Sequence, residues 1–164
     1  MLTLKATITR TAAVVTSGIV AAALLAGTAQ AHNRYDRADR VQRATGKVVI
    51  TVVKRTQRMT VRLNGKRRYV FRVSTGKRGH ATPRGRFKPL WLTKMHYSRK
   101  YNMAKMPNSI FFTRRGHAIH GTNAVRRLGR PASHGCIRLA PKHARLLFAL
   151  VKRYGRKNVT IRIV

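Results

Sequence analysis

The chain has 164 residues, enough for one domain with a single core and little more once a leader is set aside. It carries 37 Lys plus Arg against 2 acidic residues, a formal charge of +35. That imbalance excludes a fold framed by salt bridges and predicts a surface that seeks anions.

Residues 1–31 read as a segment to be removed. Lys5 and Arg10 form a basic start, an apolar stretch runs from Ala12 to Gly27, and Ala29-Gln30-Ala31 is a small-x-small cleavage triplet. The stretch is short for a membrane span and holds Thr16, Ser17 and Gly18, so export is expected, with no integral span after cleavage. Residues 32–46 lack an apolar period and read as a basic linker, and they contain both acids, Asp36 and Asp39. Nucleic acid is the usual partner for such charge. An exported protein instead meets anionic envelope polymers, so no nucleic-acid partner is expected and the charge reads as a tether to the wall or envelope.

The domain proper is expected over residues 47–164. Val48 to Val53 is a β-branched run with the length of a buried strand. Met59, Val61 and Leu63 alternate with polar residues, Asn64-Gly65 supplies a turn, and Tyr69, Phe71 and Val73 alternate again, which predicts a hairpin. A loop over 74–79 and a turn at Thr82-Pro83-Arg84-Gly85 precede extended structure from Phe87 to Leu92. Thr93 to Ser109 shows no clean period and reads as a long loop. Ile110-Phe111-Phe112 and Ala118-Ile119-His120 predict a strand pair around Arg114-Arg115-Gly116. One helix is expected late, with Pro141 in its first turn, Leu146, Leu147, Leu150, Val151 and Tyr154 on one face, and Gly155 as its stop. Val159, Ile161 and Ile163 alternate as a last strand. The fold class is mainly β: mostly antiparallel strands in a sandwich or half-open barrel, with one packed α-helix near the C-terminus.

Cys136 is the only cysteine, and in an oxidising compartment an unpaired thiol is either buried and inert or kept for its reactivity. Its neighbours favour reactivity: Ser133-His134-Gly135-Cys136-Ile137-Arg138-Leu139 follows His120-Gly121 by a basic, turn-rich insert. A histidine beside the sulfur activates it and later protonates a leaving amine. His120, at the end of an extended run, and His134, two residues before the cysteine, are the candidates, with His134 the better fit to a pocket-lining role. Gly135 permits a sharp turn in which the amides of His134, Gly135 and Cys136 converge on an oxyanion. Arg138 shares a side with Cys136 if the segment is extended, where it would grip a substrate carboxylate. With no acid after Asp39, the histidine's orienting partner must be a backbone carbonyl or a group such as Asn108, Asn123 or Ser133. Three other readings stand beside the enzyme: a core cysteine in a polyanion-binding module, a non-catalytic wall-binding protein, and a zinc site of His117, His120, His134 and Cys136. The last is opposed by strand geometry, which sends His117 and His120 to opposite faces.

These segments resemble the catalytic domain of the L,D-transpeptidases (YkuD type). Ser133-His134-Gly135-Cys136-Ile137-Arg138-Leu139 looks like the family's nucleophile signature, preceded at the expected interval by Ala118-Ile119-His120-Gly121. Val73-Ser74-Thr75-Gly76 with Thr82-Pro83-Arg84-Gly85-Arg86-Phe87, and Met106-Pro107-Asn108-Ser109-Ile110, resemble its upstream segments. The resemblance implies a β-sandwich with a helix packed beside it, and peptidoglycan stem tetrapeptides as substrate. It implies that Cys136 attacks the bond between the L-centre of the third residue and D-alanine, with His120 as base and acid oriented by the Gly121 carbonyl. The acyl group would pass to an amine of a second stem peptide, of an outer-membrane protein or of a free D-amino acid, or to water. The last outcome is the L,D-carboxypeptidase alternative. No cofactor and no metal are required, carbapenems are expected to acylate the same sulfur, and the location implied is the periplasm or cell wall.

Overall fold

The computed structural model describes residues 44–164, so the expected leader and nearly all of the expected linker lie outside the described residues. Two mixed sheets form the domain. The first has five strands in the order β3-β2-β1-β9-β4 and the second has four in the order β5-β6-β7-β8.

The first sheet begins with β1 (Val48–Val53), whose alternate residues Val48, Ile50 and Val52 are fully buried. It pairs antiparallel with β2 (Arg58–Leu63), which turns through Asn64-Gly65 into β3 (Lys66–Arg72). Both turn residues have positive φ, 50° and 80°, the conformation a two-residue hairpin demands. A short β4 (Gly85–Phe87) and the C-terminal β9 (Val159–Ile163) complete the sheet, with β9 parallel to β1 and antiparallel to β4. The expected extension from Phe87 to Leu92 is therefore broken: β4 ends in the first sheet, Pro89 intervenes, and the chain enters the second sheet at Trp91.

The second sheet corrects the expected long loop. Thr93 to Ser109 belongs mostly to a long hairpin of β5 (Trp91–Ser98) and β6 (Ala104–Phe111), joined by a 3₁₀ turn at Arg99–Tyr101 and by Asn102 and Met103, both at positive φ. No residue of β5 is fully buried, so the strand has no core face to impose a period of two, and Pro107 inside β6 reads as a breaker. β7 (Ala118–Gly121) pairs antiparallel with β6 and parallel with β8 (Ile137–Leu139). The one α-helix among the described residues, α1 (Pro141–Tyr154), has Pro141 in its first turn, Gly155 at its end, and packs on β6 and β7. Among the described residues no helix is long and apolar enough to cross a membrane.

One core joins these layers: Ile50 and Ile161 of the first sheet, Ile110, Ile119 and Ile137 of the second, and Ala144, Leu147 and Val151 of α1. No carboxylate side chain occurs from Arg40 onward, and hydroxyl and amide groups do the tying instead. Gln57, 2% exposed, accepts the Thr75 amide at 2.8 Å and donates to Thr75 Oγ1 at 2.7 Å. That fixes the segment 74–76, which bridges to Arg138 through Ser74 and to Ser133 through Gly76. The loop bearing Cys136 is thereby stitched to the end of β3.

Candidate functional site

The parallel pairing of β7 with β8 sorts the side chains. Ile119 and Ile137 are register partners and go to the core, so the next partners, His120 and Arg138, face the opposite side together. Cys136 precedes Arg138 by two residues and shares that face.

His120 is only 6% exposed, and its Nδ1 lies 2.7 Å from the Gly121 carbonyl oxygen. A carbonyl only accepts, so Nδ1 carries the proton and, in the neutral ring, Nε2 is left as an acceptor. Burial is the main reason the ring's pKa falls to about 4, with Arg138 and His96 adding to the fall and the Gly121 bond opposing it. His120 is neutral at pH 7. Among the orienting partners left open by the sequence, the Gly121 carbonyl makes this bond, while the Ser133 hydroxyl is used elsewhere.

The Cys136 thiol is partly exposed and lies 3.9 Å from the Gly116 carbonyl, to which it donates. Burial raises its pKa, against the lowering effects of the Ala118 backbone and of Arg138. At neutral pH Cys136 is thus a neutral thiol and His120 a neutral imidazole. Cys136 and His120 line one cavity of about 220 Å³ together with Ser133, His134 and Arg138. A larger cleft of about 830 Å³ opens on the other side of Cys136, walled by the β5–β6 hairpin and by Arg115, Gly116 and His117.

Three consecutive peptide groups around the thiol are held by two buried hydroxyls. Ser133 Oγ accepts the Gly135 N–H at 3.1 Å and donates to the Cys136 carbonyl. Thr82 Oγ1, 1% exposed, accepts the Gly76 N–H and donates to the Gly135 carbonyl, both at 2.8 Å. In a planar trans peptide the N–H points opposite to the C=O, so Thr82 aims the Cys136 N–H away from itself. The expected trio of converging amides is narrowed: Gly135 N–H is taken by Ser133, leaving those of His134 and Cys136. Gly135 has φ +110°, and a β-carbon there would sit 3.0 Å from the His117 ring, which is why the turn needs glycine.

His134 lines both cavities, its ring stacked on Tyr101 at 4.7 Å and edge-on to His80 at 4.7 Å. Arg138 is half-buried at the smaller cavity, and its Nη1 donates to the Ala132 carbonyl at 3.3 Å. His117 stands apart from His120: its Nδ1 is 2.9 Å from Thr113 Oγ1, and it faces the larger cleft. Among the described residues no group of three or more His, Cys, Asp or Glu is placed to hold a metal. Sequence reasoning missed Tyr101, hidden in the stretch read as loop, and Thr82, whose only signal was the Thr-Pro turn.

Comparison with known proteins identifies the family. The profile of the YkuD L,D-transpeptidase catalytic domain matches residues 47–161. YqjB of Bacillus subtilis (strain 168), itself provisionally named an L,D-transpeptidase, is 34% identical over 106 residues, 57% of this chain and 60% of that protein. The solved L,D-transpeptidase of Stackebrandtia nassauensis superposes with a TM-score of 0.63 at 27% identity, over 75% of this chain and 58% of that one. L,D-transpeptidase 3 of Mycobacterium tuberculosis, solved with a faropenem-derived adduct, superposes with a TM-score of 0.62 at 19% identity, over 72% and 60%. The chain spans about 60% of the length of these relatives. A profile match over most of the chain, on a fold shared with solved members, establishes that the chain belongs to the L,D-transpeptidase catalytic-domain family (YkuD type).

Proposed function

We propose that the protein is a peptidoglycan L,D-transpeptidase in which Cys136 is the nucleophile and His120 the general base and acid. The observation that carries this reading is the shared cavity of Cys136 and His120, with Nδ1 of the imidazole committed to Gly121 and Nε2 left to take a proton. As Sγ attacks the carbonyl carbon between the L-centre of the third stem residue and D-alanine, Nε2 removes the thiol proton. The carbonyl oxygen becomes an oxyanion stabilised by the Cys136 and His134 amides, with Gly135, Ser133 and Gly121 as supports. Collapse breaks the C–N bond, His120 returns the proton to the departing D-alanine amine, and a thioester remains on Cys136. An acceptor amine then attacks the thioester, giving a 3→3 cross-link or attachment to a protein, and the cysteine leaves as a thiol.

Cys136 lines both cavities, and in this reading they receive the acyl donor and the amine. Arg138 grips the donor's terminal carboxylate. The second reading is attack of water on the thioester, which gives the free carboxylic acid. In this account residues 1–31 are an export signal, 32–46 a linker and 47–164 the catalytic domain, and the enzyme works in the envelope.

The test is D-alanine release from purified tetrapeptide muropeptides, followed by chromatography. Cys136→Ala and His120→Ala each abolish release while keeping the far-UV spectrum of the wild type. Arg138→Ala raises KM more than it lowers kcat. Full activity in Cys136→Ala overturns the assignment.

A further inference from the structure

The first sheet turns one face to the core and the other carries arginine in an unusual arrangement. Three cross-strand pairs are directly opposed in register: Arg58 with Arg72, Arg62 with Arg67, and Arg86 with Arg162. All six are exposed. Directly opposed like charges destabilise a sheet, and with no acid after Asp39 the described domain has no carboxylate side chain to offset them. Between the pairs the same face presents uncharged β-branched residues, among them Thr60, its β1 partner Thr51 and its β3 partner Val70. The result is an uncharged floor with doubled cations at its margins.

We propose that this face docks the peptidoglycan strand itself, as a carboxylate-bearing polymer, on a different sheet from the one that carries Cys136. The inference rests on the function proposed above and deepens it: the enzyme holds the wall on one sheet and reacts with it at the other. The spacing favours sparse anions. Arg58 and Arg62 are four residues apart along β2, ~13 Å, and the β9–β4 pair lies two strands beyond β2, ~10 Å. Duplex nucleic acid offers a phosphate every ~3.4 Å along each strand and is read by elements narrow enough to enter a groove, which the face of a five-stranded sheet is not. A glycan bearing one stem peptide per repeat sets its carboxylates farther apart, and a bidentate guanidinium suits a carboxylate.

The experiment compares two variants with equal loss of charge. One replaces Arg58, Arg62, Arg86 and Arg162 with Gln on the sheet face. The other replaces Lys142, Arg145, Lys152 and Arg153 with Gln on exposed positions of α1. Arg72 is left in place because its Nη2 donates to the Leu128 carbonyl at 2.8 Å. Binding to purified sacculi, by sedimentation, and to duplex DNA is measured across a salt series, beside D-alanine release from soluble tetrapeptide muropeptides. The sheet-face variant is expected to bind sacculi about tenfold more weakly or worse, while the helix variant stays within about twofold of wild type. Both keep wild-type release from soluble muropeptides, and the sheet-face variant melts no lower than wild type because repelling pairs have been removed. Equal loss in the two variants, undiminished binding in the sheet-face variant, or a loss confined to duplex DNA overturns the proposal. Absence of D-alanine release in the wild type would instead overturn the proposed reaction, and is read from a separate assay.

Discussion

The hairpin of β2 and β3 and the longer hairpin of β5 and β6 differ in what holds them. Met59, Val61 and Phe71 bury one side of the first against the common core, while its other side faces outward. The second leaves Trp91, Met95 and Tyr97 substantially exposed and forms a wall of the cleft beside Cys136. A strand with a dry face must alternate; a strand that lines a cleft need not. Strands with a buried face, β6 with its Ile110 included, carry the core, while the cleft beside Cys136 is walled by β5, which has no fully buried residue, in line with binding segments being drawn from the weaker parts of a fold.

The largest expected effect sharpens that contrast. Ile50 is fully buried in the core on β1, and Ile50→Ala is expected to cost about 2–5 kcal/mol in chemical denaturation. Met95→Ala, on the exposed hairpin, is expected to shift stability by less than about 0.5 kcal/mol and to change KM instead. Equal destabilisation by the two would break the comparison.

Acid stability comes next. His120 is held neutral by burial, so its folded pKa, about 4, lies below its unfolded value, and the unfolded chain binds the extra proton between about pH 4 and 6.5. The stability this contributes is complete above about pH 6.5 and is lost as pH falls toward 4, up to about 3 kcal/mol. Burial lowers the pKa values of His117, His134 and His143 too, so their contributions have the same sign. Thermal melts from pH 7 to 4 should show a falling Tm, and His120→Gln should flatten the slope. A slope unchanged by His120→Gln would place the acid sensitivity elsewhere.

A smaller effect probes the bond that ties the first sheet to the loop bearing Cys136. Thr82 sits in the turn before β4 of the first sheet and grips the Gly135 carbonyl beside the nucleophile. Thr82→Val removes the hydroxyl with little change of shape and is expected to slow acylation of Cys136 about tenfold or more, by loosening the aim of the Cys136 amide. Alkylation by iodoacetamide forms no oxyanion and should proceed at the wild-type rate, and Thr82→Ser should restore acylation. Parallel losses in both reactions would make Thr82 a packing residue only.

Much of the first sheet was legible because its residues obey a single requirement: Met59 and Val61 alternate with polar neighbours against one core, and Asn64-Gly65 fits one turn. Helix α1 was equally open to reading, with Pro141 and Gly155 marking its ends. Cys136, His120, His134 and Arg138 were found through residue type and spacing, and the fold brings all four to one cavity. What escaped depends on contacts between distant segments. The stacking of Tyr101 on His134 spans 33 residues and the bond from Thr82 to Gly135 spans 53, and neither leaves a periodic trace. The commitment of the Gly135 amide to Ser133 likewise depends on turn geometry.

The central claim is that one thiol, activated by a neutral imidazole, takes the acyl group. Incubation of the purified protein with meropenem, read by intact-protein and peptide mass spectrometry, tests it most directly. The account predicts one adduct, mapped to Cys136, absent in Cys136→Ala and formed far more slowly in His120→Ala. An unmodified wild-type protein, or an adduct that persists without the thiol, would contradict it.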